Sequence, residues 1–195
     1  MSFWKTIIIL FLIGILMAVM FYHMTKPSYP LIVNLYKYRY KQMSDSNAKK
    51  QLIDYTKSIN DSIEGLNYSE LLAWEHRHLI YTKSHLNSPR PELPIPIIER
   101  GKGRCGEFAL LYTGLCLANN IPVRLVIDCS VKTDNRSTAD HVWNEVYVDG
   151  NWLHVDPTEN KVNQPHLYRD GWHKNVNLVY AIFYEEIINV TEKYN

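Results

Sequence analysis

A cysteine, a histidine and an aspartate occupy positions from which they could together form a nucleophilic site. Cys105 lies between glycines in "GKGRCGEFALLY", at the start of an apolar run that predicts a helix over 105–119. The unpaired N–H groups and the dipole of a helix N-terminus stabilise an ionised sulfur, and the Cys105 amide could donate to an oxyanion. A small buried side chain is the alternative interpretation of Cys105.

The partners of Cys105 come from a predicted β-hairpin in which "STADHVWNEVYV" and "NWLHVD" flank the turn signal Asp149-Gly150. A two-residue loop makes His141 and Asp156 diagonal neighbours on one face, about 7–8 Å apart at the backbone. A three-residue loop would send them to opposite faces. An imidazole oriented by a carboxylate can activate a cysteine. Since His141 could also be an ordinary strand residue and Asp156 a turn residue, the residues alone leave this triad open.

The remaining elements must hold that helix against that sheet. "PVRLVID", "LVYAIFY" and "IINVTEKY" predict strands, and two helices are predicted between 51 and 86. The proline-rich stretch 87–103 predicts an extended loop. One helix followed by an antiparallel meander predicts an α+β domain over residues 51–195.

The first 50 residues differ in composition from the rest. Residues 6–25 carry no fixed charge and, as a helix of about 1.5 Å rise per residue, would cover about 30 Å, which predicts a membrane anchor over 1–25. Residues 26–50 hold six Lys or Arg against one Asp and predict a basic membrane-proximal connector. A cleaved signal peptide is the alternative, although no small-x-small cleavage signal follows the apolar run. The positive charge after the run favours a single-pass protein with a cytoplasmic domain, but leaves the membrane side undetermined.

Charge, cysteine and histidine patterns exclude several classes of function. Residues 51–195 hold 14 Lys or Arg against 19 Asp or Glu, so nucleic-acid binding is not expected. The three cysteines show no CxxC spacing, which argues against a disulfide framework or a zinc knuckle, and Cys116 and Cys129 are expected to be structural. On a helix His76 and His78 would point about 200° apart, so an exposed face and no metal site are predicted there.

Three motifs resemble those of the transglutaminase-like superfamily of Cys-His-Asp enzymes. "GRCGEF", "DHVW" and "WLHVDPTE" are similar to the cysteine, histidine and aspartate motifs in the catalytic core of the peptide:N-glycanases. The likeness extends over about residues 100–195, including a closing V-x-x-x-Y in "VTEKY", and more loosely over 71–81.

The resemblance implies a transglutaminase-like or papain-like α+β fold, in which a helix with an N-terminal cysteine packs on an antiparallel sheet. It also implies roles for particular residues: Cys105 as nucleophile, His141 as general base and then acid, and Asp156 as its orienting partner. Three further residues would lie on the substrate side, namely Trp74, Trp143 and Glu159. The resemblance implies no cofactor, and a protein or glycoprotein substrate.

Two departures bear on that substrate. The glycanases carry two cysteine pairs for a structural zinc ahead of the nucleophile, whereas residues 82–100 contain no cysteine, and a membrane anchor is foreign to that family. The sequence therefore predicts cysteine-dependent amide hydrolysis or acyl transfer through a thioester. Deglycosylation of asparagine side chains is one version, and peptide cleavage or glutamine transamidation is the other. A catalytically silent protein- or glycan-binding module remains a third hypothesis.

Overall fold

A computed structural model describes residues 11–15, 17, 29–82, 91–131, 137–163 and 178–194. They form a mixed α/β fold in which helices pack on an antiparallel sheet. The helices are α1 (Leu31–Ser44), α2 (Ser46–Ser58), α3 (Tyr68–His78), α4 (Pro94–Arg100), α5 (Cys105–Ala118) and α6 (Thr191–Tyr194). The strands are β1 (Ile80–Tyr81), β2 (Lys102–Gly103), β3 (Val123–Val131), β4 (Ser137–Val148), β5 (Asn151–Asp156), β6 (Lys161–Val162), β7 (Leu178–Phe183) and β8 (Glu186–Asn189).

The large sheet has the order β6-β5-β4-β3-β7-β8, and each neighbouring pair is antiparallel. Strands β1 and β2 form a separate parallel pair. Val148 pairs with Asn151 across a turn whose central residues, Asp149 and Gly150, have φ angles of 50° and 82°. Two positive φ angles are typical of the tight hairpin turn that the Asp-Gly signal predicts, so the predicted two-residue loop is confirmed.

Helix α5 is the centre of the fold. Its residues from 106 to 118 are buried apart from Glu107, because α1, α2, α3, α4 and the sheet all contact it. One polar contact fixes its position on the sheet: the Asn144 side chain of β4 donates to Thr113 Oγ1 at 2.8 Å and to the Ala109 carbonyl at 3.2 Å. The helix therefore begins at Cys105 on a frame held from every side.

Residues 26–50 differ from the predicted connector, because α1 belongs to the folded domain. Val33, Tyr36, Tyr40 and Met43 face the core at helical spacing, and the Tyr40 hydroxyl donates to the Val123 carbonyl at 2.6 Å. Lys37, Arg39 and Lys41 lie on the other faces of this packed amphipathic helix, which is why composition alone pointed to a connector. The helix Leu31–Ser44 is therefore packed into the same core as the residues after 51.

The prediction of an extended loop over 87–103 was wrong for its second half, which forms α4. Pro94 occupies the first turn of this helix, where the missing N–H has no helical partner to lose, and Gly101 ends the helix with a φ of 66°. Residues 83–90 lie outside the described residues. The exposed face predicted for His76 and His78 was also wrong, because both rings are half-buried.

The predicted anchor over residues 1–25 falls mostly outside the part of the chain that the structure describes. Residues 11–15 and 17 are helical. Within the described ranges, no helix combines the length and the apolar character needed to cross a bilayer. The structure thus gives the anchor no support, and it stays a prediction.

Candidate active site

Cys105 is the first residue of α5 and is half-buried. The strand pair β1–β2 delivers the chain to it, with Tyr81 beside Gly103. The Glu107 carboxylate accepts the backbone N–H of Arg104 at 2.9 Å, which fixes the residue before the cysteine. The sulfur therefore lies at the positive end of a long buried helix, on a backbone with little freedom.

The structure brings His141 and Asp156 together and adds Cys105. His141 Nε2 lies 2.9 Å from Asp156 Oδ2, and the imidazole is also hydrogen-bonded to Cys105. The other oxygen of Asp156 accepts the backbone N–H of Thr158 at 2.9 Å. A β-bulge interrupts the β3–β4 pairing directly beside His141, and bulges re-aim side chains. The ring is thus held between a thiol and a buried carboxylate.

The electrostatics of this trio favour a charged imidazole. Burial lowers the pKa of His141, but the hydrogen bonds and charges of Asp156 and Cys105 outweigh it and raise that pKa to about 10. At neutral pH the stable form is therefore an imidazolium beside the sulfur, held by the Asp156 carboxylate.

Helix α3 contacts the segment that carries the Asp156 carboxylate. His76 Nε2 lies 2.5 Å from the carbonyl oxygen of Pro157, the residue after Asp156. Glu75 is fully buried, and neither of its carboxyl oxygens has a hydrogen-bond partner among the described residues. Burial, together with the Asp156 charge, raises the pKa of Glu75 well above its usual value, which favours the neutral form of Glu75. The neutral form leaves the negative charge on Asp156.

Two of the residues expected on the substrate side are buried. Trp143 is 1% exposed, and its ring stacks beside His141 at a centroid distance of 5.7 Å and an angle of 20°. Trp74 is fully buried and donates its indole N–H to the Asp61 carbonyl at 2.9 Å. Other side chains cover both tryptophans, which alternation and motif position do not reveal.

The cover over Trp143 comes from the C-terminus. The ring of Tyr194 meets Trp143 edge to face at 5.1 Å, and its hydroxyl donates to the fully buried Glu145 carboxylate. Lys193 pairs with the same carboxylate, and Arg124 lies 3.5 Å from its other oxygen. The closing "VTEKY" therefore supplies the residues that shut the sheet face on which Trp143 lies.

Tyr81 is an exposed side chain near Cys105, and Glu159, from the predicted set, is an exposed residue near Tyr81. Tyr81 is 44% exposed, lies next to Gly103, and interacts electrostatically with both Cys105 and Glu159. Sequence reasoning missed Tyr81, although it ends the stretch 71–81 that loosely resembles the glycanases. Taken by itself, Tyr81 is only an exposed aromatic residue at the end of a short strand, which does not indicate a site.

The other two cysteines lie apart from this chemistry. Cys116 and Cys129 are fully buried, as expected of structural residues, and burial raises the pKa of the Cys116 thiol. Across the residues that the structure describes, no three His, Cys, Asp or Glu side chains cluster as metal ligands would. The described residues thus offer no counterpart of the glycanase zinc site.

Comparison with known proteins finds similar sequences over the core of the chain. The chain is similar to the peptide-N(4)-(N-acetyl-beta-glucosaminyl)asparagine amidase of Drosophila melanogaster, with 40% identity over 95 residues, which are 48% of this chain and 14% of that protein. The amidase of the same name from Arabidopsis thaliana is 37% identical over 108 residues, 54% of this chain and 14% of its own. The similarity is therefore confined to a small part of much longer relatives.

Among solved structures, one of the Rad4/XPC nucleotide excision repair complex superposes with a TM-score of 0.54 and 14% identity, covering 82% of this chain and 46% of that one. At this identity the likeness concerns the fold alone. The family model of the transglutaminase-like superfamily matches residues 54–157. With more than half of its residues matched, and with similar relatives on record over the same core, the chain belongs to the transglutaminase-like superfamily.

Proposed function

We propose that this protein is a cysteine-dependent amide hydrolase acting on the glycosylated side chain of asparagine in a protein substrate. The observation that carries the proposal is the hydrogen bonding of His141 to both Cys105 and Asp156. The substrate class is supported by relatives that bear the name of an asparagine amidase and share 37–40% identity over the core.

The first half of the proposed reaction forms a thioester. The Cys105 thiolate attacks the carbonyl carbon of the side-chain amide, and the C=O electrons move to oxygen. The Cys105 backbone N–H, at the start of α5, is a donor to that oxyanion. When the oxyanion collapses, the C–N bond breaks and the His141 imidazolium gives its proton to the leaving glycosylamine.

The second half releases the product. Neutral His141 takes a proton from water as the water oxygen attacks the thioester carbonyl, and the C–S bond then breaks. The thiolate and the imidazolium are restored, and asparagine has become aspartate. Asp156 stays ionised throughout and keeps the ring oriented, as the orienting carboxylate does in Ser-His-Asp sites.

The substrate meets the protein at Tyr81 and Glu159 in this proposal. Both are exposed, and Tyr81 interacts electrostatically with Cys105 and with Glu159. An aromatic ring at the mouth of the site gives a sugar or peptide a flat surface to pack on. We therefore assign the substrate wall to Tyr81 with Glu159, in place of Trp143 and Trp74.

Peptide cleavage and glutamine transamidation use the same thioester and are the runner-up activities. They differ in which amide is attacked and whether water or an amine accepts the acyl group. The silent binding module is disfavoured, because a binding surface does not need an imidazole hydrogen-bonded to both a thiol and a buried carboxylate.

One incubation separates these activities. The full chain, in detergent, is mixed with a denatured N-glycoprotein and a primary amine, with Cys105→Ser as the control, and peptides are followed by mass. Glycosylated asparagine converted to aspartate supports the proposal. Amine incorporated at glutamine, or new peptide termini, would replace it with a runner-up. No product from the wild type would contradict it.

We further propose that residues 1–25 tether the domain to a membrane as a single span, with the domain on the cytoplasmic side. The support is the uncharged length of residues 6–25 and the positive charge that follows it. Protease digestion of sealed vesicles tests this. An inside-out vesicle should leave residues 29–195 open to protease, and protection of the domain there would overturn the orientation.

A further inference from the structure

Tyr36, on α1, reaches the first turn of α5 next to Cys105. Its hydroxyl lies directly against Gly106, so closely that a methyl group on Gly106 would overlap it. The ring is 7% exposed and fixed in the core. A hydroxyl group is therefore held one residue from the nucleophile, on a helix that the sequence did not assign to the domain.

The hydroxyl of Tyr36 donates no hydrogen bond to an acceptor among the described residues. Tyr40, Tyr112 and Tyr194 each donate to an oxygen, at 2.6, 2.8 and 2.5 Å. Within the described part of the chain, Tyr36 makes no such bond. Burial and then the Cys105 charge raise the pKa of Tyr36, so the phenol keeps its proton wherever the thiolate exists. The group is thus a permanent donor beside the reacting sulfur.

We propose that the Tyr36 hydroxyl donates a hydrogen bond to the oxyanion that forms when Cys105 attacks a carbonyl group. It would act as the side-chain donor alongside the Cys105 backbone N–H. This inference rests on the proposed function, because it requires acyl chemistry at Cys105. It does not require any particular substrate.

The step moves no proton from Tyr36. The S–C bond forms, the C=O electrons move to oxygen, and the O–H of Tyr36 stabilises that oxygen until the C=O bond returns and the leaving group departs. Glycine at position 106 is required because any side chain would displace the hydroxyl. Gly106 and Tyr36 therefore act as a pair.

Two small reagents separate oxyanion stabilisation from thiolate reactivity. p-Nitrophenyl acetate acylates Cys105 through an oxyanion and releases p-nitrophenolate, whereas iodoacetamide alkylates sulfur by direct displacement without one. For Tyr36→Phe in the full chain, we expect acylation to fall about 100-fold, the usual effect of losing one oxyanion donor, and alkylation to be unchanged.

Tyr40→Phe is the matched control, because Tyr40 lies one turn further along α1 and its hydroxyl bonds Val123, away from Cys105. It should leave the ratio of acylation to alkylation at the wild-type value. Thermal unfolding of both variants shows whether each is folded under the assay conditions, and labelled peptides identify Cys105 as the site.

Each result has a distinct meaning. Equal acylation in wild type and Tyr36→Phe overturns the inference, and so does a parallel fall in acylation and alkylation, which would mean that Tyr36 acts on the sulfur. A wild-type chain that is acylated but cleaves no glycopeptide would refute the proposed substrate and leave Tyr36 testable. A wild-type Cys105 that neither acylates nor alkylates would refute the proposed function itself.

Discussion

Helix α5 covers one face of the large sheet with apolar side chains, whereas the short C-terminal helix α6 covers the other with rings and charges. On the α5 face, Val142 and Val146 join the main core, with Asn144 as a polar contact. On the α6 face, Trp143 and Glu145 are equally buried, but they are satisfied by Tyr194, Lys193 and Arg124.

The two faces hold different members of the candidate site. Cys105 begins the helix of the apolar face, while His141 stacks on Trp143 and bonds Asp156 on the polar one. Burial on the α5 face fixes the backbone of Cys105, and the contacts on the α6 face fix the orientation of the His141 ring. Damage to the α5 face should therefore cost stability and leave the rate of thiol alkylation unchanged, whereas damage to the α6 face should cost both.

Removal of residues 1–50 is expected to have the largest effect, because it strips α1 from the α5 face. The four buried side chains it carries are each worth about 2–5 kcal/mol, against a total stability of about 5–15 kcal/mol. Urea unfolding should show a cooperative transition for a chain starting at residue 29 and none for one starting at residue 51. A normal transition for the shorter chain would return α1 to the role of a connector.

A pair of truncations compares the two faces directly. Trp143→Ala and Leu115→Ala each remove a fully buried side chain and should each destabilise by about 2–5 kcal/mol. Only Trp143→Ala should slow the alkylation of Cys105, by about 10-fold or more, since His141 loses the ring that orients it. Equal alkylation rates in the two folded variants would show that the stack does not position His141.

Tyr194→Phe tests the network alone, because it keeps the ring and removes the hydrogen bond to Glu145. A bond to a charged group contributes about 1.5–3 kcal/mol, which denaturant unfolding measures. Tyr147→Phe, on an exposed ring, should stay within about 0.5 kcal/mol of the wild type. If the two substitutions changed the free energy of unfolding equally little, the C-terminal hydrogen bonds would contribute little to the packing of α6 on the sheet.

Glu75→Gln should change the pH dependence of the free energy of unfolding more than the free energy of unfolding itself. The folded state holds a proton on Glu75 that the unfolded state loses above about pH 4.5, so stability falls as pH rises towards the raised pKa. The loss is at most about 1.4 kcal/mol per pH unit, and glutamine removes it. Urea unfolding from pH 5 to 7 should give a shallower slope for the variant, and identical slopes would mean that Glu75 is ionised in the folded protein.

Short sequence motifs predicted those parts of the fold that depend on neighbouring residues in the chain, namely the hairpin and the start of α5. The Asp149-Gly150 turn fixed the hairpin register, and the glycine-flanked apolar run fixed the start of α5. The face shared by His141 and Asp156 followed from alternation. What alternation could not supply was the cover on that face, which comes from Tyr194 near the end of the chain.

The first helix was missed for a different reason. Its buried positions, Val33, Tyr36, Tyr40 and Met43, do have helical spacing, but the basic residues between them and the apolar run before them directed the interpretation to the membrane. Three of the four are large, and two are tyrosines, which suit a membrane interface as well as a core. Only tertiary packing distinguishes the two, and with Tyr36 the sequence analysis missed a residue of the candidate site.

Activation of Cys105 by the charged imidazole of His141 is tested most directly by alkylation of the sulfur with iodoacetamide at about pH 6. An ordinary thiol, with a pKa of about 8.5, reacts slowly there. Cys105 should react far faster than N-acetylcysteine at that pH, and Asp156→Asn, which lowers the pKa of His141 by removing its partner, should abolish the advantage. A rate for Cys105 that follows the pH profile of N-acetylcysteine in both proteins would contradict it.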